Sequence, residues 1–221
     1  TTDNLDLLAL RGNFIIEPKS GELASHLVGK GRMEEPEAII AALEEYFSTG
    51  LDYQGRRVLL TAGPTHEPID PVRFIGNHST GRMGIALANE LVRRGAEVTL
   101  ILGPSSLRPR EEVRVIPVTT AEEMLREAEE VVGEVDLAIF AAAVADYRPR
   151  YTHAEKLKRE GQEELELELV RNPDIAATLG AWKRPDQYFV GFALESSVGV
   201  EEAKRKMQQK NFDAIVLNSL Q

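Results

Sequence analysis

Apolar and polar positions change rhythm near Gly55. Beyond it, short apolar runs alternate with segments whose apolar residues recur at helical spacing, the pattern of repeated βα units. Val58 to Ala62, Glu97 to Leu102, Val113 to Val118, Leu137 to Ala143, Tyr188 to Leu194 and Ala214 to Leu217 read as strands. Met83 to Arg94 sets Ile85, Leu87, Ala88, Leu91 and Val92 at helical spacing and stops at Gly95, a helix terminator. Ala121 to Val132, Pro173 to Trp182 and Val200 to Lys210 read as further helices. Glu164 to Val170 alternates Leu165, Leu167 and Leu169 with acids, which predicts a strand with one wet face. The pattern predicts an α/β fold, a Rossmann-like, mostly parallel sheet with helices on both faces.

Before Gly55 the pattern is sparser. Asn13 to Ile16 is a short apolar run, and Ser20 to Gly31 reads as a glycine-rich loop. Pro36 opens a helix carrying Ile39, Ile40, Leu43, Tyr46 and Phe47. One strand and one helix cannot enclose a core. Residues 1–48 are therefore expected to be the tail of a preceding domain or a linker, and 49–221 the principal domain. A start at Thr1 and a stop just after a strand suggest an excerpt of a longer protein.

Composition works mainly by exclusion. The 26 Lys and Arg against 36 Asp and Glu give a net charge of −10, which argues against a general nucleic-acid or membrane-surface binder. The longest apolar run, Leu137 to Ala145, falls far short of the roughly 20 residues that span a bilayer. No basic-then-apolar leader opens the chain, and a cytoplasmic location is expected. The chain has no cysteine, which excludes disulfides, thiolate catalysis and Cys-ligated metals. His26, His66, His78 and His153 make no zinc-hydrolase spacing. A metal, if used, is expected to be Mg held by carboxylates and substrate phosphates, with its protein ligands unassigned.

In an open parallel sheet, ligands bind beyond the carboxyl ends of the strands. The connection from Gly63 to Gly81 is far longer than the roughly 2 to 6 residues usual for a βα loop, and Pro64, Pro68 and Pro71 stiffen it. It delivers Asn77, Ser79, Thr80 and Gly81 to a helix start, where unpaired N–H groups favour a phosphate. Ser79 or Thr80 could equally be a simple helix cap. Ala141, Ala142 and Asp146 follow the central strand: small residues let a flat ligand approach the backbone, or pack a helix closely, and Asp146 offers a carboxylate or caps a turn. Lys156 lies in a charge run typical of solvated surface. Pro173, Asp174, Ile175 and Ala176 could form only a helix start, and Phe192 could stack on a base or belong to the core. Lys206 and Lys210 fall one turn apart on the last helix, so both ammonium groups point the same way.

Together these residues carry a resemblance. Thr61 to Thr65, Glu67 to Arg73, Asn77-His78-Ser79 with Gly81 and Met83-Gly84, Ala142 to Tyr147, Lys156, Asn172-Pro173-Asp174 and Gly191-Phe192-Ala193 resemble bacterial phosphopantothenoylcysteine synthetase, the phosphopantothenate-cysteine ligase of coenzyme A biosynthesis. The likeness runs from about Gly55 to Gln221. Gly29 to Met33 with Glu35-Pro36 resemble the end of the flavin-dependent phosphopantothenoylcysteine decarboxylase usually fused in front of it, though Ala24-Ser25-His26 stands where that family commonly has a catalytic cysteine.

The resemblance implies a ligase that uses CTP and Mg to join 4′-phosphopantothenate to L-cysteine through an acyl-cytidylate, with FMN confined to an absent decarboxylase domain. It implies catalytic roles for Asn77 and Lys156. It implies CTP contacts from Ala141, Ala142, Asp146, Lys156, Pro173, Asp174, Ile175, Ala176, Phe192, Lys206 and Lys210. Gly63, Ser79, Thr80 and Gly81 are expected to bind phosphate. Members of the family dimerise, and they continue past Asn218, so a homodimer and full turnover are expected of the intact family, with a nucleotide-binding fragment as the alternative here. A Rossmann-type oxidoreductase is disfavoured, because the first βα turn lacks the glycine fingerprint for a dinucleotide.

Overall fold

The computed structural model describes residues 2–22, 28–48, 51–158, 165–195 and 200–219. The chain divides into two units, Thr1–Leu51 and Asp52–Gln221. In the first, α1 (Thr2–Leu10) precedes β1 (Lys19–Glu22) and β2 (Val28–Arg32), an antiparallel ribbon, and then α2 (Pro36–Ser48). The glycine-rich stretch expected to be a loop thus supplies both strands of the ribbon. Asn13 to Ile16 is not a strand; Phe14 instead sets its ring 4.9 Å from that of Tyr46 on α2. Ala24, Ser25 and His26 lie outside the described residues.

The second unit holds β3 (Arg57–Ala62), β4 (His66–Pro68), β5 (Phe74–Gly76), α3 (Arg82–Arg93), β6 (Glu97–Leu102), β7 (Arg114–Pro117), α4 (Ala121–Val132) and β8 (Leu137–Phe140). It continues with β9 (Tyr147–Pro149), β10 (Leu169–Arg171), α5 (Ile175–Gly180), β11 (Tyr188–Glu195), α6 (Val200–Gln209) and β12 (Ala214–Ser219). Six strands form one sheet in the order β12-β11-β8-β3-β6-β7, every neighbouring pair parallel. The fold is α/β and Rossmann-like, as the alternation predicts.

Each central strand is buried on both faces, which explains its unbroken apolar run. Val58, Leu60 and Ala62 point to one layer with Ile85, Ala88 and Leu91 of α3. Leu59 points to the other, with Met124 and Ala128 of α4, Leu179 of α5 and Phe189. α4 starts on a reciprocal cap: Thr120 accepts from the Glu123 N–H while the Glu123 carboxylate accepts from that of Thr120. Among the described residues, no helix is long and apolar enough to cross a membrane.

Two elements differ from the expected pattern. The Gly63 to Gly81 connection contains a second antiparallel ribbon, β4 with β5, in which Glu67 pairs with Ile75. The leucine alternation from Leu165 yields only the short β10, paired antiparallel with β9 rather than joined to the main sheet. Three residues of β9 do not offer enough length for the remaining leucines to pair.

Candidate active site at the carboxyl edge

From β3 the chain builds the sheet outward through β6 and β7, then returns to the other side of β3 with β8, β11 and β12. The order therefore reverses between β3 and β8, and the connections leaving these two strands part at their carboxyl ends, opening a crevice. A strut spans it: the Asn77 side-chain N–H donates to the Val144 carbonyl at 2.9 Å and to that of Ala143 at 3.4 Å, above a backbone bridge between Pro64 and Ala143. The lining divides into two chambers on either side.

The chamber on the α3 side has a volume of about 930 Å³ and is lined by Asn77, Ser79, Thr80, Gly81 and Ala141, together with His66 and Phe74. The rings of His66 and Phe74 stack at 3.7 Å and form an apolar wall. Gly81 takes φ 74° at the helix start, and no side chain caps α3. The Gly81 and Arg82 N–H groups donate to the Ser79 and Thr80 hydroxyls at 3.3 and 3.4 Å, long bonds in a first turn whose amides have no acceptor within the helix. Glycines bring this turn down onto the strand ends. A Cβ on Gly81 would stand 3.3 Å from the Gly63 Cα, and one on Gly103 would collide with the Pro64 carbonyl.

The second chamber, about 720 Å³, is lined by Ala142, Asp146, Pro173, Asp174, Ile175, Ala176, Phe192, Lys206 and Lys210. Arg171, Arg205, Tyr147 and Phe212 share it. Asp174 caps α5 by accepting from the Ala177 N–H, and it also pairs with the Lys210 ammonium at 3.0 Å. Asn172 ties the wall to the strut, its amide donating to the Ala145 carbonyl at 2.7 Å.

The structure thus gathers nearly all the residues singled out from the sequence, but into two groups. Ala141 lies with the α3 chamber rather than with Ala142. Gly63 is buried beneath the turn and shapes it through its backbone. Lys156 is exposed and lines neither chamber. Sequence reasoning missed Gly103, Phe74, His66 and Arg171; Gly103-Pro104 directly after a strand was the available signal for the first.

Asp70 and Arg73 anchor the long connection. The Asp70 side chain is fully buried and accepts from Arg73 at 2.7 Å and from the backbone N–H groups of Val72, Arg73 and Leu157. Burial pushes its carboxyl pKa up, but the three backbone donors and the Arg73 charge outweigh that and hold it below the usual carboxylate value. Glu67, also buried, accepts from the Ala121 N–H at the start of α4, and the Thr65 hydroxyl accepts from the Ala145 N–H. Among the described residues, no group of three His, Asp or Glu side chains converges as a metal site.

Fold and crevice together define an α/β protein with a Rossmann-like sheet and a crevice divided in two at its carboxyl edge. Residues 53–221 match the model of the DNA/pantothenate metabolism flavoprotein C-terminal domain, and the chain belongs to that family. It is 52% identical to a "Cysteine/Cysteine sulfinic acid decarboxylase" from an unknown prokaryotic organism, over the whole chain and 62% of that protein. It is 44% identical to the "Coenzyme A biosynthesis bifunctional protein CoaBC" of Haemophilus influenzae, over the whole chain and 55% of that protein. The crystal structure of the C-terminal domain of a coenzyme A biosynthesis bifunctional protein CoaBC superposes with a TM-score of 0.66 at 44% identity, covering 75% of this chain and 78% of that one. The chain spans little more than half the length of the curated relatives it matches.

These descriptions correct the function expected from the sequence. They name a flavoprotein family, a decarboxylase and a bifunctional protein of coenzyme A biosynthesis, and none names a ligase, CTP or Mg. The synthetase assignment is set aside on that ground, and with it CTP and Mg as cofactors and phosphopantothenate, L-cysteine and CTP as substrates. The alternative of a nucleotide-binding fragment is set aside with them.

The family description brings a flavin into consideration, and the described residues do not fit one. The strut at Asn77 separates the turn before α3 from the aromatic residues of the second chamber, Tyr147, Phe192 and Phe212. Those rings do not frame a flat slot: Phe140 and Phe212 stack on each other at 5.5 Å, and Phe212 fills the space above Gly191.

Proposed function

We propose that this chain serves a bifunctional protein of coenzyme A biosynthesis by holding phosphopantothenoylcysteine, the compound whose carboxyl group a decarboxylase of such a protein removes. The observation that carries this reading is the uncapped start of α3, where Ser79, Thr80 and Gly81 surround first-turn amides without intrahelical acceptors. A phosphate monoester supplies charged acceptors to a turn that now makes only long bonds to the Ser79 and Thr80 hydroxyls, and the helix dipole favours its charge. The His66–Phe74 wall suits the apolar pantothenoyl arm. The cysteinyl end, with its carboxylate, then runs past Asn77 towards Arg171, Lys206 and Lys210.

Under this reading the chain binds and orients. Asn77 holds the two connections together, and the glycines admit the phosphate to the backbone. Thermal unfolding with and without phosphopantothenoylcysteine tests it. The native chain gains stability as the compound is added, by mass action. Ser79→Asp, which sets a like charge against the phosphate, removes the gain without lowering the melting temperature of the free protein. An unchanged gain in that variant would refute the phosphate assignment.

A further inference from the structure

The α3 chamber departs from the rest of the molecule in charge. The chain carries 36 acids against 26 Lys and Arg, yet among the described residues no acid lines this chamber, whose ionisable groups are His66, His78 and Arg82. None of these three side chains has a hydrogen-bonded or ionic partner among the described residues. His66 is half-buried in the wall with one ring face on Phe74 at 3.7 Å, while His78 and Arg82 are exposed and flank the turn before α3. The neighbouring carboxylates are engaged elsewhere. Glu67, on the opposite face of β4, accepts from the Ala121 N–H at 3.0 Å, and Asp70 pairs with Arg73 at 2.7 Å. At the start of α4, Glu123 accepts from the Thr119 and Thr120 N–H groups, beside the Thr119 carbonyl that accepts from the His66 backbone N–H. On β9, which packs against β4, Arg148 pairs with Glu122 at 2.7 Å, and Asp146 before it lines the other chamber. β5 brings only Phe74 and Gly76 to the α3 chamber, the loop after β6 only Pro104 and the segment after β8 only Ala141, all uncharged.

A cavity of about 930 Å³ is about 10 Å across, close to the Debye length at about 0.1 M salt, so a charge on its wall acts on an anion inside without touching it. Imidazole is the side chain that ordinarily changes charge between about pH 5 and 8. We propose, on the ligand reading above, that His66 and His78 make the affinity of the α3 chamber for a phosphate monoester depend on pH: Arg82 supplies a standing positive charge, and each imidazole adds one when it takes up a proton. Between about pH 8 and 6.5 the wall gains charge, while a phosphate whose second ionisation lies near pH 6 keeps most of its own. Binding therefore tightens as the pH falls through that range.

The test is the dissociation constant of the full chain for phosphopantothenoylcysteine, and for the same compound lacking its phosphate, at about pH 6.5 and about pH 8. The native chain is expected to bind the phosphorylated compound about fivefold more tightly at the lower pH, and the phosphate-free one alike at both. His66→Gln combined with His78→Gln is expected to remove that difference. His66→Arg combined with His78→Gln makes one charge permanent, and is expected to be equally indifferent to pH while binding more tightly than the native chain at the higher pH. Arg82→Gln is expected to weaken binding about fivefold at both pH values with the native difference retained. No pH difference in the native chain, or one that survives in the double glutamine variant, would overturn the role of the two imidazoles while leaving the ligand reading intact. A native chain that binds the two compounds equally, or binds neither, would overturn the ligand reading itself, and the pH dependence with it.

Discussion

At the scale of single residues, the crevice depends on a few side chains turned inward where surface residues would ordinarily face water. Asp70 is the clearest. Its carboxyl pKa is lowered in the folded chain, so the charged form stabilises the fold fully above the unfolded-state value near 3.8, and that contribution is lost as the pH falls through the lower folded value. Acid unfolding of the native chain should therefore steepen below about pH 4. Asp70→Asn should be less stable at neutral pH and should show a shallower acid limb; equal limbs in the two proteins would show that Asp70 contributes nothing through its charge. The sequence displayed Asp70 and Arg73 three positions apart, but not that they grip Leu157, because that contact joins loops separated by 84 to 87 residues.

At the scale of elements, close approach decides the geometry. Gly84 on α3 lies against β3, and a Cβ there would come within 2.3 Å of the Ala62 Cβ. Gly84→Ala should therefore push α3 off the sheet and destabilise the protein by about 1–3 kcal/mol, measurable by denaturant unfolding, and the turn before α3 should shift with it. Thr120→Ala should cost about 1 kcal/mol through the lost cap, read by the same denaturant unfolding.

Helices and parallel strands were legible in the chain because each keeps one period over several turns or residues, and β6 and α4 fall at the limits the pattern predicts. The β4–β5 ribbon was not, since three-residue strands interrupted by proline carry no period. The site residues were legible as small and polar groups following strands. Their division into two chambers was not, because it depends on the side-chain bond from Asn77 to Val144 across 67 positions.

At the scale of the whole molecule, the proposed function asks an anionic chain to bind an anionic ligand. A net charge of −10 repels a phosphate at a distance, while the α3 amides and the cations at the carboxyl edge attract it nearby. Added salt screens both, but the short-range contacts lie partly out of solvent and are screened less. Raising the ionic strength from about 0.05 to 0.5 M should therefore change affinity by less than about tenfold; a loss of a hundredfold or more would place the ligand on the open surface.

The most direct measurement of the central claim is calorimetric titration of the chain with phosphopantothenoylcysteine and, separately, with the same compound lacking its phosphate. The account predicts saturable binding of one molecule per chain, weakened at least about tenfold when the phosphate is removed. Equal affinity for the two compounds, or no binding of either, would contradict it.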